Sequence, residues 1–161
     1  MDVETMASLG KIGGALALSL GALGSTLGVG AAGPAAVGSW KKCFAQEKPA
    51  PFVLVTFVGA PLSQTIYGMI LMNQILAKCT LQAGQTAEQY AAAVSNWPAM
   101  LVIGLFGGAA IGLSAWFQGI IGASASDAMA ETGKGFGNYL MALGIVETVA
   151  LFVMVFIGGL V

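Results

Sequence analysis

The sequence predicts an all-α membrane protein of four transmembrane helices, arranged as two duplicated helical hairpins. Composition is the first reason, because 57% of the 161 residues are apolar and only 8% are charged, against about 25% charged residues in soluble domains. The mean hydropathy of +0.87 points the same way. The spacing of the charges is the second reason, since it leaves four long apolar stretches, and the similar design of the two halves is the third.

Each of the four stretches is long enough to cross a bilayer, which takes roughly 20 apolar residues. We number them span 1 to span 4 and predict them near residues 10–39, 50–77, 92–125 and 136–160. Spans 1 and 2 would form a first hairpin within residues 1–80, and spans 3 and 4 a second hairpin within residues 81–161. Lengths above the minimum allow each helix to tilt or to project beyond the hydrocarbon.

The positions of the lysines predict the orientation. Four of the six lysines lie in the loops that join span 1 to span 2 and span 3 to span 4, whereas the other side has only Lys11 and Lys78. The positive-inside rule therefore places both hairpin loops in the cytoplasm and both termini outside. The same topology separates Cys43 from Cys79 by about the thickness of the bilayer, which is beyond the reach of a disulfide.

Several classes of protein are excluded by what the chain lacks. It has no histidine and a net charge of −1, so it offers neither a histidine triad or metal site nor the basic patch of a nucleic-acid binder. No Gly-x-x-x-x-Gly-Lys-Ser/Thr string is present, which excludes a phosphate-binding loop of that type. We therefore expect no ATP hydrolysis by this chain and no nucleic-acid partner.

The spans are of two kinds. Spans 1 and 3 have glycines at four-residue spacing, which permit close helix association in lipid: Gly10, Gly14, Gly24, Gly28, Gly104, Gly108 and Gly112. These ridges could pack within one bundle or form the inner wall of a ring of many copies. Spans 2 and 4 have bulkier side chains and are predicted to form an outer layer facing lipid: Phe52, Phe57, Tyr67, Phe152 and Phe156.

The strongest functional candidate is Glu147, a carboxylate about halfway along span 4. A charge at that depth costs about 3 kcal/mol on insertion scales, and residues that bear it are functional candidates by default. Counting 1.5 Å per residue from the hairpin loops places Glu147, Gln64 and Gln118 at similar depths, roughly 14 to 24 Å. These three residues are therefore expected to meet.

The groups near Glu147 are rich in oxygen. Span 2 contributes the Ser63 hydroxyl, the Gln64 amide and the Tyr67 phenol, and Pro61 leaves a backbone carbonyl of its helix without a donor. Such oxygens suit a hard cation, and a single negative charge suits a monovalent ion better than a divalent one. Tyr67 could either bind the ion or donate a hydrogen bond to the carboxylate.

The chain resembles the proteolipid rotor-ring subunit, often called subunit K, of bacterial and archaeal V-type rotary ATPases of the sodium-coupled type. The resemblance covers the whole chain and is most specific at three segments: Pro61-Leu-Ser-Gln-Thr-Ile-Tyr67, Phe117-Gln-Gly119 and Val146-Glu-Thr148. It implies a Na⁺ site of Ser63, Gln64, Gln118 and Glu147, with the Ala60 carbonyl and the Tyr67 hydroxyl. Ser63 stands where a threonine is expected but keeps the hydroxyl.

The resemblance also implies partners and a location. The subunit would form a ring of identical copies in the plasma membrane of a prokaryote and turn against a stator membrane subunit with a fixed basic residue. Central-stalk subunits would link the ring to partner subunits that hydrolyse or synthesise ATP. The subunit itself would carry the ion and would not be an enzyme.

Three other interpretations stay open at this point. A proton-coupled rotor would need Glu147 but not the additional oxygens around it. A small multidrug transporter would exchange protons for lipophilic cations at Glu147, although its neighbours Val146, Thr148 and Ala150 lack the aromatic character of such a pocket. A purely structural four-helix protein would leave the mid-membrane amides unexplained.

Overall fold

The computed structural model describes all 161 residues, and every regular element is helical. Four helices are long and apolar enough to cross a membrane: span 1 at Val3–Ala45, span 2 at Leu54–Lys78, span 3 at Trp97–Thr132 and span 4 at Phe136–Ile157. A short helix at Ala87–Val94 connects spans 2 and 3. The predicted all-α fold with four candidate membrane helices is thus confirmed.

Span 1 is longer than the predicted 10–39 at both ends. It begins after Asp2, whose carboxylate accepts a 2.7 Å hydrogen bond from the Thr5 backbone N–H and caps the helix. That hydrogen bond lowers the pKa of Asp2 below its ordinary value. The helix continues past Lys41 and Lys42, because charged side chains at a helix end can extend into water. Charge spacing therefore marks the apolar part of a helix but not its ends.

Span 2 is interrupted in its first half. An α-helix at Leu54–Gly59 passes into a 3₁₀ turn at Ala60–Leu62, and the α-helix resumes at Ser63–Lys78. Pro61 lies in this turn, where its missing N–H accounts for the change in hydrogen bonding. Spans 3 and 4 contain π-helical turns at Ile103–Gly107 and Val153–Ile157.

Glycines bring spans 1 and 3 into direct backbone contact within one chain. A Cβ added at Gly24 would collide with the backbone of Gly112, and one at Gly119 would collide with that of Gly28. A Cβ at Gly28 would also lie 2.7 Å from the Cβ of Pro61 in span 2. Of the two predicted roles for the glycine ridges, the structure thus shows packing inside one bundle at these positions.

The aromatic side chains of span 2 do not all face outward as predicted. Phe57 is fully buried, with its ring centroid 5.7 Å from that of Phe136 and 6.2 Å from that of Tyr139. Gly122 makes room for it, since a Cβ there would lie 2.7 Å from the Phe57 carbonyl oxygen. The prediction is wrong for Phe57, because hydropathy does not separate contact with protein from contact with lipid. The predicted outward residues Phe52, Phe152 and Phe156 are exposed.

The hairpin loops lie together at one end of the bundle. Lys42 at the end of span 1 forms an ion pair with Glu131 at the end of span 3, and the Trp40 indole N–H donates a 2.8 Å hydrogen bond to the Pro51 carbonyl. Both cysteines are free and buried. Cys43 lies inside the helix of span 1 rather than in the loop that follows it.

Candidate ion-binding site

Glu147 lies in span 4 with a neutral donor at each carboxylate oxygen. The Tyr67 hydroxyl donates to Oε1 at 2.8 Å, and Nε2 of Gln118 lies 3.4 Å from Oε2. Glu147 is half-buried, and no lysine pairs with it, since the ion pair of the chain joins Lys42 to Glu131. The carboxylate therefore has hydrogen-bond donors but no positive charge from its own chain.

Two fully buried glutamines extend this network away from Glu147. Nε2 of Gln64 donates to Oε1 of Gln118 at 2.9 Å, and Nε2 of Gln118 also donates to the Leu143 carbonyl at 3.1 Å. The donors thus run in one direction, from Gln64 to Gln118 to Glu147. Gln118 turns its nitrogen toward the carboxylate, whereas its oxygen, which has a second lone pair, faces Gln64.

Three oxygens meet at the interruption of span 2. Oγ of Ser63 lies 3.0 Å from the Ala60 carbonyl oxygen and 3.0 Å from Oε1 of Gln64. The 3₁₀ turn around Pro61 brings these atoms together, because residues three apart are nearly eclipsed in that geometry. Ala60, Ser63 and Gln64 therefore present oxygen atoms to one small region.

The structure thus brings all six predicted site residues into one hydrogen-bonded network, and their role as ion ligands stays a prediction. Thr65 lies beside them in the sequence but faces span 1, where its hydroxyl donates to Ser25 at 2.8 Å. No group of three or more His, Cys, Asp or Glu side chains is placed to hold a metal ion. One carboxylate among neutral oxygens is chemically suited to a monovalent cation or a proton.

Sequence reasoning missed one member of the network, Ser114 in span 3. Its Oγ donates to the Val146 carbonyl at 2.7 Å and accepts from Nε2 of Gln64 at 3.4 Å. A usable signal was its spacing, because Ser114 lies four residues before Gln118 and so on the same helix face. A lone serine among glycines and alanines did not stand out as a site residue.

Comparisons with known proteins agree with this geometry. Residues 101–157, which include Gln118 and Glu147, match the family described as the C-type subunit of ATP synthase. The chain is 32% identical over 145 residues to the A-type ATP synthase subunit K of Methanocaldococcus jannaschii, a match that covers 89% of this chain. The chain spans 57% of the length of that relative.

That family is one of membrane-embedded ring proteins, which assemble as rings of identical copies within an ATP synthase while catalysis lies in other subunits. The four apolar helices of this chain fit that description. The family match at the second hairpin and the similarity along most of the sequence thus agree, and the chain belongs to the c/K-type proteolipids of ATP synthases.

Proposed function

We propose that the chain is the ion-carrying subunit of the rotor ring of a V-type or A-type rotary ATPase and that the ion is Na⁺. The observation that supports this most is the carboxylate of Glu147, which is held by the neutral donors Tyr67 and Gln118 and has no cation of its own chain beside it. A charge inside a span is stable only when it is compensated. A transported cation would supply that compensation.

The choice of Na⁺ rests on the oxygens around the carboxylate. We assign the ion to Glu147 and to the oxygens of Gln118, Gln64 and Ser63, with the Ala60 carbonyl as a further ligand. Tyr67 holds the carboxylate in position through its 2.8 Å hydrogen bond. A proton would need only the carboxylate, so the cluster of Ser63, Gln64 and Ala60 oxygens favours a metal cation.

The proposed cycle couples the charge at Glu147 to rotation. With Na⁺ bound the site is neutral, so it can pass through the lipid-facing part of the ring at low cost. At the stator, a fixed basic residue of the membrane partner displaces the ion and pairs with the free carboxylate. Aqueous half-channels then deliver and remove Na⁺, and central-stalk subunits transmit the rotation to the partner subunits that hydrolyse or synthesise ATP.

A proton-coupled rotor is the second candidate, and one observation favours it. Gln118 presents its nitrogen rather than its oxygen to Glu147, so the carboxylate can be satisfied by neutral donors without a metal cation. Binding of Na⁺ by the Gln118 oxygen would use the lone pair that the hydrogen bond from Gln64 leaves free.

Replacing Gln118 by leucine separates these two candidates. We expect radioactive sodium binding to the purified ring to weaken by a factor on the order of ten or more, because an oxygen ligand and a donor to Glu147 are lost together. In the unaltered ring, apparent sodium affinity should fall as the pH falls, since protons compete for the same carboxylate.

The matched control is Gln74→Leu in span 2, because the Gln74 amide oxygen has no hydrogen-bond partner and lies outside the network. Unchanged sodium binding in Gln118→Leu would contradict the ligand assignment. If the unaltered ring binds no sodium at any pH yet pumps protons with ATP in sodium-free buffer, the proton rotor replaces the sodium rotor.

We further propose that the protein lies in the plasma membrane of a prokaryote, with both hairpin loops cytoplasmic and both termini outside. The hairpins would comprise residues 1–80 and 81–161. Lysine placement supports this orientation, and Glu88 and Lys134 mark the two sides with exposed positions.

Single introduced cysteines test the orientation in intact cells, because the native Cys43 and Cys79 are buried. We expect a membrane-impermeant maleimide to label Glu88→Cys from outside and to label Lys134→Cys only after lysis. The reverse pattern would invert the proposed topology without affecting the proposed site.

A further inference from the structure

Ser114 is bonded differently from the other hydroxyl residues of its helix. The hydroxyls of Ser124, Ser126 and Thr132 donate to the carbonyl four residues earlier on the same helix, which is the common pattern for serine and threonine in helices. Ser114 instead donates across to span 4, at 2.7 Å from the Val146 carbonyl. It is 5% exposed, so its hydroxyl is withdrawn from solvent and lipid.

The partner of Ser114 in span 4 is next to Glu147 in the sequence. One turn further along span 3, Gln118 donates to the Leu143 carbonyl at 3.1 Å. Two side chains of span 3 thus hold the turn of span 4 that leads into Glu147. Because both bonds are buried and short, this turn has a defined position relative to span 3.

Ser114 also constrains the amide of Gln64 in span 2. Its Oγ lies 3.4 Å from Nε2 of Gln64 on the side away from Ser63, while Oε1 of Gln64 faces the Ser63 hydroxyl at 3.0 Å. Donation to Ser114 and Gln118 occupies the amide nitrogen, which leaves the amide oxygen turned toward the Ser63 and Ala60 oxygens. The orientation of this amide decides whether Gln64 offers an oxygen or a nitrogen to a cation.

We propose that Ser114 is a positioning residue of the ion site, which fixes the Gln64 amide with its oxygen toward the ion and holds the Glu147 turn of span 4 against span 3. The proposal deepens the function proposed above and rests on it. Ser114 makes no contact with the ion in this arrangement and acts through Gln64 and the Val146 carbonyl.

The test uses the intact purified ring and a hydrophobic carbodiimide that labels Glu147. For Ser114→Ala we expect the sodium concentration that halves labelling to rise on the order of ten-fold, the usual effect of removing a residue that orients a ligand. We also expect faster labelling in sodium-free buffer at fixed pH, since the Glu147 turn is held less firmly. Ser114→Thr keeps the hydroxyl and should retain sodium protection close to that of the unaltered ring.

Ser126→Ala is the matched control, because Ser126 is equally buried on the same helix but bonds only to its own Gly122 carbonyl. Sodium protection and sodium-free labelling rates in Ser114→Ala equal to those of Ser126→Ala would overturn the proposal. A ring that sodium never protects would refute sodium coupling instead, and the sodium-free labelling rates would still decide the role of Ser114.

Discussion

Replacing Glu147 by glutamine is expected to abolish ion transport by the assembled ring, a loss of more than about a hundredfold. Glutamine has nearly the shape of glutamate, and its amide oxygen can still accept the hydrogen bond that Tyr67 donates at 2.8 Å to Glu147. The side chain therefore stays in place, whereas the charge that binds and releases the cation is lost. Both Na⁺ and proton transport should fail, since either ion needs this carboxylate.

The measurement is ATP-driven ion transport in vesicles that contain the complete ATPase, together with carbodiimide labelling of the ring. Glu88→Gln is the matched control, because Glu88 is an exposed carboxylate on the connecting helix at Ala87–Val94. We expect full transport in the control, labelling at Glu147 in the unaltered ring and no labelling in Glu147→Gln. Labelling of another carboxylate with Glu147 untouched would contradict the proposed site.

The second large effect is expected from Gly24→Ala in span 1. The new methyl group would overlap the backbone of Gly112 in span 3, and a backbone cannot move aside as a flexible side chain can. The two spans must separate, which costs about 1–3 kcal/mol or more. We expect a clearly lower thermal unfolding midpoint of the purified protein in detergent, followed by circular dichroism, with weaker ring assembly as a consequence.

Gly30→Ala is the control on the same helix, because nothing lies within 4 Å of a Cβ at Gly30. Alanine favours a helix interior over glycine by up to about 1 kcal/mol, so this variant should be as stable as the unaltered protein or more stable. Equal stability of Gly24→Ala and Gly30→Ala would show that spans 1 and 3 do not approach at Gly24 as described.

The sequence by itself determined the fold class, the approximate spans and the central carboxylate. The reason is that a bilayer imposes strong rules on composition, so that long apolar stretches between charges predict spans. The same rules make a charge such as Glu147 conspicuous inside a span. Gln64, Gln118 and Tyr67 were identified for a related reason, since polar groups at matching depths are few.

Only the tertiary structure decided which groups face one another. The one-way run of hydrogen bonds from Gln64 through Gln118 to Glu147 depends on partners from three spans, which no local pattern records. The burial of Phe57 and the contact of Gly24 with Gly112 likewise follow from packing between distant segments. Hydropathy measures the preference of a residue for an apolar surrounding but does not distinguish lipid from protein. The role of Ser114 became visible only once span 4 was placed against span 3.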